Sequence, residues 1–191
     1  MTLKVPVVRN ILEANERLAE DNRRIFRQAG LLVINLMSGP GAGKTSLLER
    51  TIEALQDEIR IGVIEGDIQS SYDAERISQK GVQVVQLNTG GACHLDGNMI
   101  KSSLDALDLD TLDLLVVENV GNLVCPAEFN VGEDMKAMIL SVPEGDDKPL
   151  KYPLMFQESR ALLINKIDLL PYVNCDVGKI RERALQLNDN L

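Results

Sequence analysis

At residues 31–55 the apolar run LLVINLM passes directly into SGPGAGKTSLLERTIEAL, and few folds accommodate such a junction. An apolar strand turning through closely spaced glycines into an amphipathic helix is the local form of a phosphate-binding loop. Gly39, Gly41 and Gly43 let the backbone turn its N–H groups inward on a polyphosphate, with Ala42 and Ser46 as further members of the cradle. The helix that opens there adds its positive dipole end. Lys44 supplies a cation for the β- and γ-phosphate oxygens, and the Thr45 hydroxyl is suited to Mg²⁺. The strict spacing G-x-x-x-x-G-K-[ST] asks for glycine where this chain has Ser38, and Gly39 and Gly41 are expected to restore the flexibility. The alternative is a glycine-rich turn that binds nothing. The order of strand, loop, Lys-Thr and helix argues against it.

Around this loop the chain alternates short apolar runs with amphipathic stretches, the pattern of βα units on a parallel sheet. The runs are 31–37, 59–65, 82–87, 112–118, 135–142 and 160–166, and helices are expected over about 45–57, 72–80, 95–104 and 176–188. Val8, Leu12, Leu18 and Ile25 at helical spacing predict a further amphipathic helix over 7–29, ended by Gly30. Continuous apolar strands imply a sheet covered on both faces. The expected fold is therefore α/β: a mostly parallel central sheet flanked by helices on both faces, as in P-loop NTPases. One domain spans 1–191, with 1–29 as an N-terminal helical extension. PEGDDKPLKYP (143–153) reads as a surface connection, with a mobile segment as the alternative.

The composition narrows the partners. A formal net charge of −9, 3% aromatic residues and no Trp argue against nucleic acid, which needs basic surface and stacking platforms. No apolar run approaches the roughly 20 residues of a membrane span. The start MTLKVPVVRN has no secretory core, and three cysteines make an odd count, so reduced thiols in a cytoplasmic protein are expected.

NKID (165–168) follows the last apolar run. A carboxylate in the base pocket accepts from guanine N1–H and N2–H₂, whereas adenine offers an acceptor and no amine, so Asp168 selects GTP over ATP. The Lys166 stem can lie along the base, and Asn165 can tie the pocket to the phosphate loop. The run LDLLVVE ends in Glu118-Asn119-Val120-Gly121, where an acid near Mg²⁺ and a glycine N–H facing the γ-phosphate are expected. Asp67 is the other candidate for Mg²⁺ or the attacking water, the alternative being a turn or capping acid. Lys44, Asp67 and Glu118 form the candidate catalytic set. Asn122 stands where a glutamine would orient water, so slow intrinsic hydrolysis is expected.

A second set of residues is soft. Cys93 and His94 are adjacent in NTGGACHLDG, and Cys125 lies four residues past Gly121. Thiolate and imidazole suit Zn²⁺ or Ni²⁺. Three ligands leave a tetrahedral site incomplete, and a homodimer sharing the site would complete it. A buried apolar Cys and a satisfied His are the bland alternatives, and Cys175 is read as structural.

On NTGGACHLDGNMI, ENVGNLVCPAEFNVGE and NKIDLLPYV the chain resembles, over about 10–173, the HypB family of nickel-insertion GTPases of NiFe-hydrogenase maturation (SIMIBI-class P-loop GTPases). The resemblance implies metal bound near a nucleotide-promoted dimer interface by Cys93, His94 and Cys125. It also implies phosphate, Mg²⁺ and hydrolysis roles for Lys44, Thr45, Asp67 and Glu118. A hydrogenase large-subunit precursor and a second nickel-handling accessory protein are the implied partners. The chain has neither the Cys-rich nor the His-rich start of some members, so nickel storage is not expected. It ends at NDNL without an obvious Ser/Thr-Gly guanine loop, so the last part of the base pocket is expected to be altered. The competing readings are a urease-type or other metal-enzyme accessory GTPase, a GTP-dependent gatekeeper of a cofactor-dependent mutase, and a nucleotide-binding scaffold without meaningful turnover.

Overall fold

The computed structural model describes residues 9–68 and 71–191, with the side chains of residues 9 and 10 excepted. The expected helix start at residues 7 and 8, including Val8, lies outside the described residues. Six strands form one sheet in the order β3-β2-β4-β1-β5-β6. They are β1 (Leu32–Ser38), β2 (Ile61–Asp67), β3 (Gln83–Asn88), β4 (Leu114–Glu118), β5 (Met135–Ser141) and β6 (Ala161–Asn165). Every pairing is parallel. Each expected apolar run becomes a strand with its ends moved by a residue or two.

The helices are α1 (Arg9–Gln28), α2 (Lys44–Leu55), α3 (Tyr72–Ser78), α4 (Gly97–Ser103), α5 (Cys125–Glu128), α6 (Lys148–Lys151), α7 (Pro153–Glu158) and α8 (Val177–Leu187). Successive strand residues point to opposite faces, which is why the runs are apolar throughout. Ile34 and Leu36 of β1 face α2 and α3 through Leu48, Ile52 and Ile77. On the other face, Val33 meets Phe26 of α1 and Ile100 of α4, and Met37 meets Phe156 of α7 and Ile180 of α8. Cys175 packs, half-buried, against this last cluster.

Two parts of the fold differ from what the sequence suggests. The stripe that α1 buries is Asn15, Ala19, Asn22 and Phe26, whereas Leu12, Leu18 and Ile25 are only half-buried. The two asparagines lie inside because each holds backbone. Asn15 accepts from Gly97 N–H at 2.7 Å and donates to Asn130 O at 2.8 Å, and Asn22 donates to Gly97 O at 2.8 Å and Val131 O at 3.1 Å. Gly97 allows this approach, since a Cβ there would lie 2.9 Å from Ala19 N. Secondly, 143–153 is not a bare connection. Ser141 and Glu144 close a capping box on a 3₁₀ turn, and α6 and the start of α7 follow. Glu144 comes to lie against the phosphate loop, because a Cβ on Gly39 would collide with its carboxylate.

Candidate functional site

At the carboxyl ends of β1, β2 and β4 a cavity of about 460 Å³ opens. Such a crevice is where open α/β sheets bind ligands. Gly41, Gly43, Lys44, Thr45 and Ser46 line it, with Asp67, Glu118, Gly121 and Lys166. Gly39 and Ala42 support the loop without lining the cavity. Gly41 and Gly43 have φ of 69° and 105°, the left-handed region that favours glycine. Gly43 has a second constraint, because a Cβ there would lie 2.5 Å from Asn165 Nδ2. Ser38 needs no glycine freedom. It ends β1, buried, donating to Gly39 O at 2.7 Å and accepting from Lys44 Nζ at 3.2 Å.

The NKID segment reaches the loop through two of its residues, of which only Asn165 was expected to do so. Asn165 donates to Ala42 O at 2.8 Å, and Lys166 donates to Gly41 O at 2.7 Å. Lys166 is the only non-glycine with positive φ among the described residues (58°), which turns its stem back over the loop. Asp168 stands exposed in the 3₁₀ turn that follows and does not line the cavity.

The acidic side of the cavity is richer than the sequence suggests. Thr45 Oγ1 donates to Glu118 Oε1 at 2.8 Å. Glu65 sits beside Glu118 in the register of β2 and β4, and ligand atoms of Glu65, Asp67 and Asp73 lie within 4.8 Å of one another. Burial, then the charges of Glu118, Asp67 and Asp73, push Glu65 up to about 8. Burial also raises Glu118 and lowers Lys44. Among the described residues, Oε2 of both glutamates is buried without a hydrogen-bond partner. Buried carboxylate oxygens left without partners are costly, so this donor set fits a hard divalent cation such as Mg²⁺. Glu65 and Asp73 were not among the candidates. The signal for Glu65 is a carboxylate at the end of the run IRIGVIE (59–65).

Cys93, His94 and Cys125 do come together, with ligand atoms within 4.8 Å of one another. The Cys93 and Cys125 sulfurs are 2.9 Å apart, and Cys93 Sγ is 3.7 Å from His94 Nδ1. His94 stacks on Phe129 at a centroid distance of 3.8 Å, and burial lowers its pKa, favouring the neutral imidazole a metal needs. Cys93 is exposed, as is Val124 beside Cys125.

The two clusters are joined by the chain between Gly121 and Cys125. Gly121 presses on the phosphate loop, since a Cβ on it would lie 2.9 Å from Pro40 Cα. Asn122 turns away from the cavity, donating to Cys93 O at 3.2 Å and accepting from Val124 N–H at 2.8 Å.

Residues 32–191 match the CobW/HypB/UreG nucleotide-binding domain. The chain is 50% identical to the hydrogenase maturation factor HypB of Escherichia coli K12, over 95% of this chain and 63% of that protein. It therefore spans less than two thirds of that relative's length. It is 44% identical to the hydrogenase/urease maturation factor HypB of Helicobacter hepaticus, over 98% of this chain and 78% of that one. The crystal structure of Helicobacter pylori HypB in complex with nickel superposes with a TM-score of 0.88 at 42% identity, covering 93% of this chain and 83% of that one. Among the described residues no helix is long and apolar enough to cross a membrane.

Proposed function

The chain belongs to the CobW/HypB/UreG family, on its HypB side, and from that premise we propose that it is a GTP-hydrolysing metallochaperone that handles nickel for NiFe-hydrogenase maturation. The observation that carries this reading is the joining of two unlike sites by the four-residue step from Gly121 to Cys125. One site is a phosphate cradle with a carboxylate cluster, and the other is a thiolate–imidazole cluster.

In this reading the amides of 39–46 and Lys44 hold the β- and γ-phosphates. Thr45 and Glu118, with Glu65 and Asp67 close by, would hold Mg²⁺, which when bound neutralises charge on the phosphate oxygens. Asp67, on the cavity wall, would polarise the attacking water. Asn122 is engaged with Cys93 O and so does not orient that water, which supports slow intrinsic hydrolysis. Asp168 reads guanine from the open side. Nickel, the cargo, is held by Cys93, His94 and Cys125, with Zn²⁺ an alternative occupant of the same donors.

Three ligands from one chain, on a face where Cys93 and Val124 are exposed, favour a homodimer that completes the site. Contact between the γ-phosphate and Gly121 would shift 122–125, so that nucleotide and metal affinities are linked reciprocally. A hydrogenase large-subunit precursor and a second nickel-handling protein are the proposed partners, in the cytoplasm. Urease is a second client class, favoured by the name of the H. hepaticus relative.

The test is titration of Ni²⁺ and Zn²⁺ in the presence of GDP or a non-hydrolysable GTP analogue, with mass followed by light scattering. Metal affinity and dimerisation that both change with nucleotide, and are lost in Cys93→Ala, are the expected result. Absence of metal binding in either nucleotide state would overturn the metallochaperone reading in favour of a plain GTPase switch.

A further inference from the structure

A line of polar side chains runs through the interior between the two sites, and the chemistry described so far makes no use of it. It begins at Asn119, next to Glu118, whose Oδ1 accepts from Leu95 N–H and Val120 N–H, each at 3.0 Å. Those two donors fix which way the amide faces, so its Nδ2 points across β1 and donates to Asn35 Oδ1 at 3.1 Å. Asn35 in turn donates to Glu133 Oε1 at 3.2 Å. Glu133 Oε2 accepts from Val131 and Gly132 N–H at 2.7 and 3.0 Å. Lys136 Nζ lies 3.8 Å from Glu133 Oε1 and donates to Ala127 O at 2.7 Å. Ala127 belongs to α5, whose first residue is Cys125.

All four side chains are buried, with Lys136 and Glu133 only 5% and 4% exposed. Interior polar groups are costly unless every partner is in place, and well-packed apolar residues often replace a buried ion pair without loss of stability. A line of this kind is therefore an expensive way to hold a strand core together. Its ends are more informative than its middle. One end accepts the N–H of Val120, which precedes Gly121, and of Leu95, which follows His94. The other end grips the helix that carries Cys125. Asn35 makes the crossing because it lies beside Val117 of β4 and Lys136 of β5 in register.

We propose that Asn119, Asn35, Glu133 and Lys136 form a relay that sets the position of α5, and so of Cys125, according to the state of the γ-phosphate sensor. This rests on the coupled-site reading above and assigns positioning residues to it. None of Asn35, Glu133 and Lys136 lines the nucleotide cavity or belongs to the soft-ligand cluster. A shift of Val120–Gly121 disturbs the acceptor of Asn119 and re-aims its amide. Each following group must then re-pair or lose its partner. The peptide from 121 to 125 could flex alone, whereas the relay obliges α5 and the Leu95 end to respond together.

The experiment uses the full chain with Ni²⁺ as the probe. Its dissociation constant is measured with GDP and with a non-hydrolysable GTP analogue for the wild type, Asn35→Leu and Lys136→Met. The wild-type ratio should fall in the range of about 5- to 150-fold usual for coupled sites. In both variants it should collapse to within about 2-fold of unity, while Ni²⁺ affinity with GDP and affinity for each nucleotide stay within about 3-fold of wild type. A folded variant that keeps the wild-type ratio overturns the relay and leaves the coupled-site reading standing. A wild-type ratio of one overturns both. Should either variant fail to fold, hydrogen exchange on the wild type decides. Protection of 125–136 must differ between the two nucleotide states, and identical exchange there overturns the relay.

Discussion

Replacing Gly121 with Ala adds one methyl group where the proposed γ-phosphate sensor meets the phosphate loop. The added Cβ would lie 2.9 Å from Pro40 Cα and 3.2 Å from Pro40 N. Both are backbone atoms of a loop held by Asn165 and Lys166, so no side-chain rotation relieves the contact. Carbon atoms rest at about 3.5–4.0 Å, so residue 121 must retreat by roughly 0.6–1 Å. Glycine at this position does not have positive φ, so Ala meets no backbone strain of its own. An N–H donating to a phosphate oxygen at about 2.8 Å would be drawn out to roughly 3.5 Å, past the useful range. Hydrogen bonds to charged groups contribute about 1.5–3 kcal/mol, so a non-hydrolysable GTP analogue should bind roughly 10- to 150-fold more weakly. GDP makes no γ-phosphate contact, and its affinity should stay within about 3-fold. Titration calorimetry with both nucleotides at fixed Mg²⁺ reads the two numbers side by side. Equal weakening of GDP and analogue, or no loss for the analogue, would refute the assignment of Gly121 as sensor.

Asp168→Asn inverts the hydrogen-bond polarity offered to the base, so GTP affinity should fall on the order of 100-fold or more while a xanthine nucleotide gains; unchanged GTP binding would remove Asp168 from the base pocket. Burial and neighbouring carboxylates raise the Glu65 carboxyl in the folded protein to about 8, against an ordinary value of 4.5, so the native state binds the extra proton between those values. Without Mg²⁺, thermal stability should therefore fall as pH rises from about 5 to about 8, and Glu65→Gln should flatten that slope in a melting series. Cys125→Ala should weaken Ni²⁺ binding by more than about 10-fold with GDP affinity intact, read by competition with a chromogenic chelator. Asn22→Leu leaves Gly97 O and Val131 O without their donor and should cost about 1–3 kcal/mol in urea unfolding.

Much of this architecture was legible from residue order alone. Each of the six apolar runs became a strand, because a strand covered on both faces must be apolar throughout. The phosphate loop was legible for a related reason. Its glycines, Lys44 and Thr45 act through a conformation built from consecutive residues, and the structure places Gly41, Gly43, Lys44 and Thr45 around one cavity. Cys93, His94 and Cys125 were readable by donor chemistry, and they converge.

The misses share a cause. Glu65 looked like one charge at the end of a strand, and only the pairing of β2 with β4 sets it beside Glu118. Asn15 and Asn22 fall outside the apolar positions Leu12, Leu18 and Ile25 that the helical spacing picks out. They are interior because Gly97 and the backbone at 130–131 present groups that need partners there. The stretch 143–153 looked like a connection by its Gly, Pro and charges, yet Ser141 caps it and Glu144 rests on the phosphate loop.

Local chemistry, then, was determined by the sequence itself: strand periodicity, the bend of the phosphate loop, the polarity of Asp168 and the softness of the cysteines. The tertiary structure alone decided the strand order β3-β2-β4-β1-β5-β6, the company Glu65 keeps, and the line from Asn119 to Lys136. The physical reason is range. Backbone torsions and side-chain periodicity act over a few residues, whereas a buried polar group is stable only beside partners supplied from distant segments, and no local pattern names them.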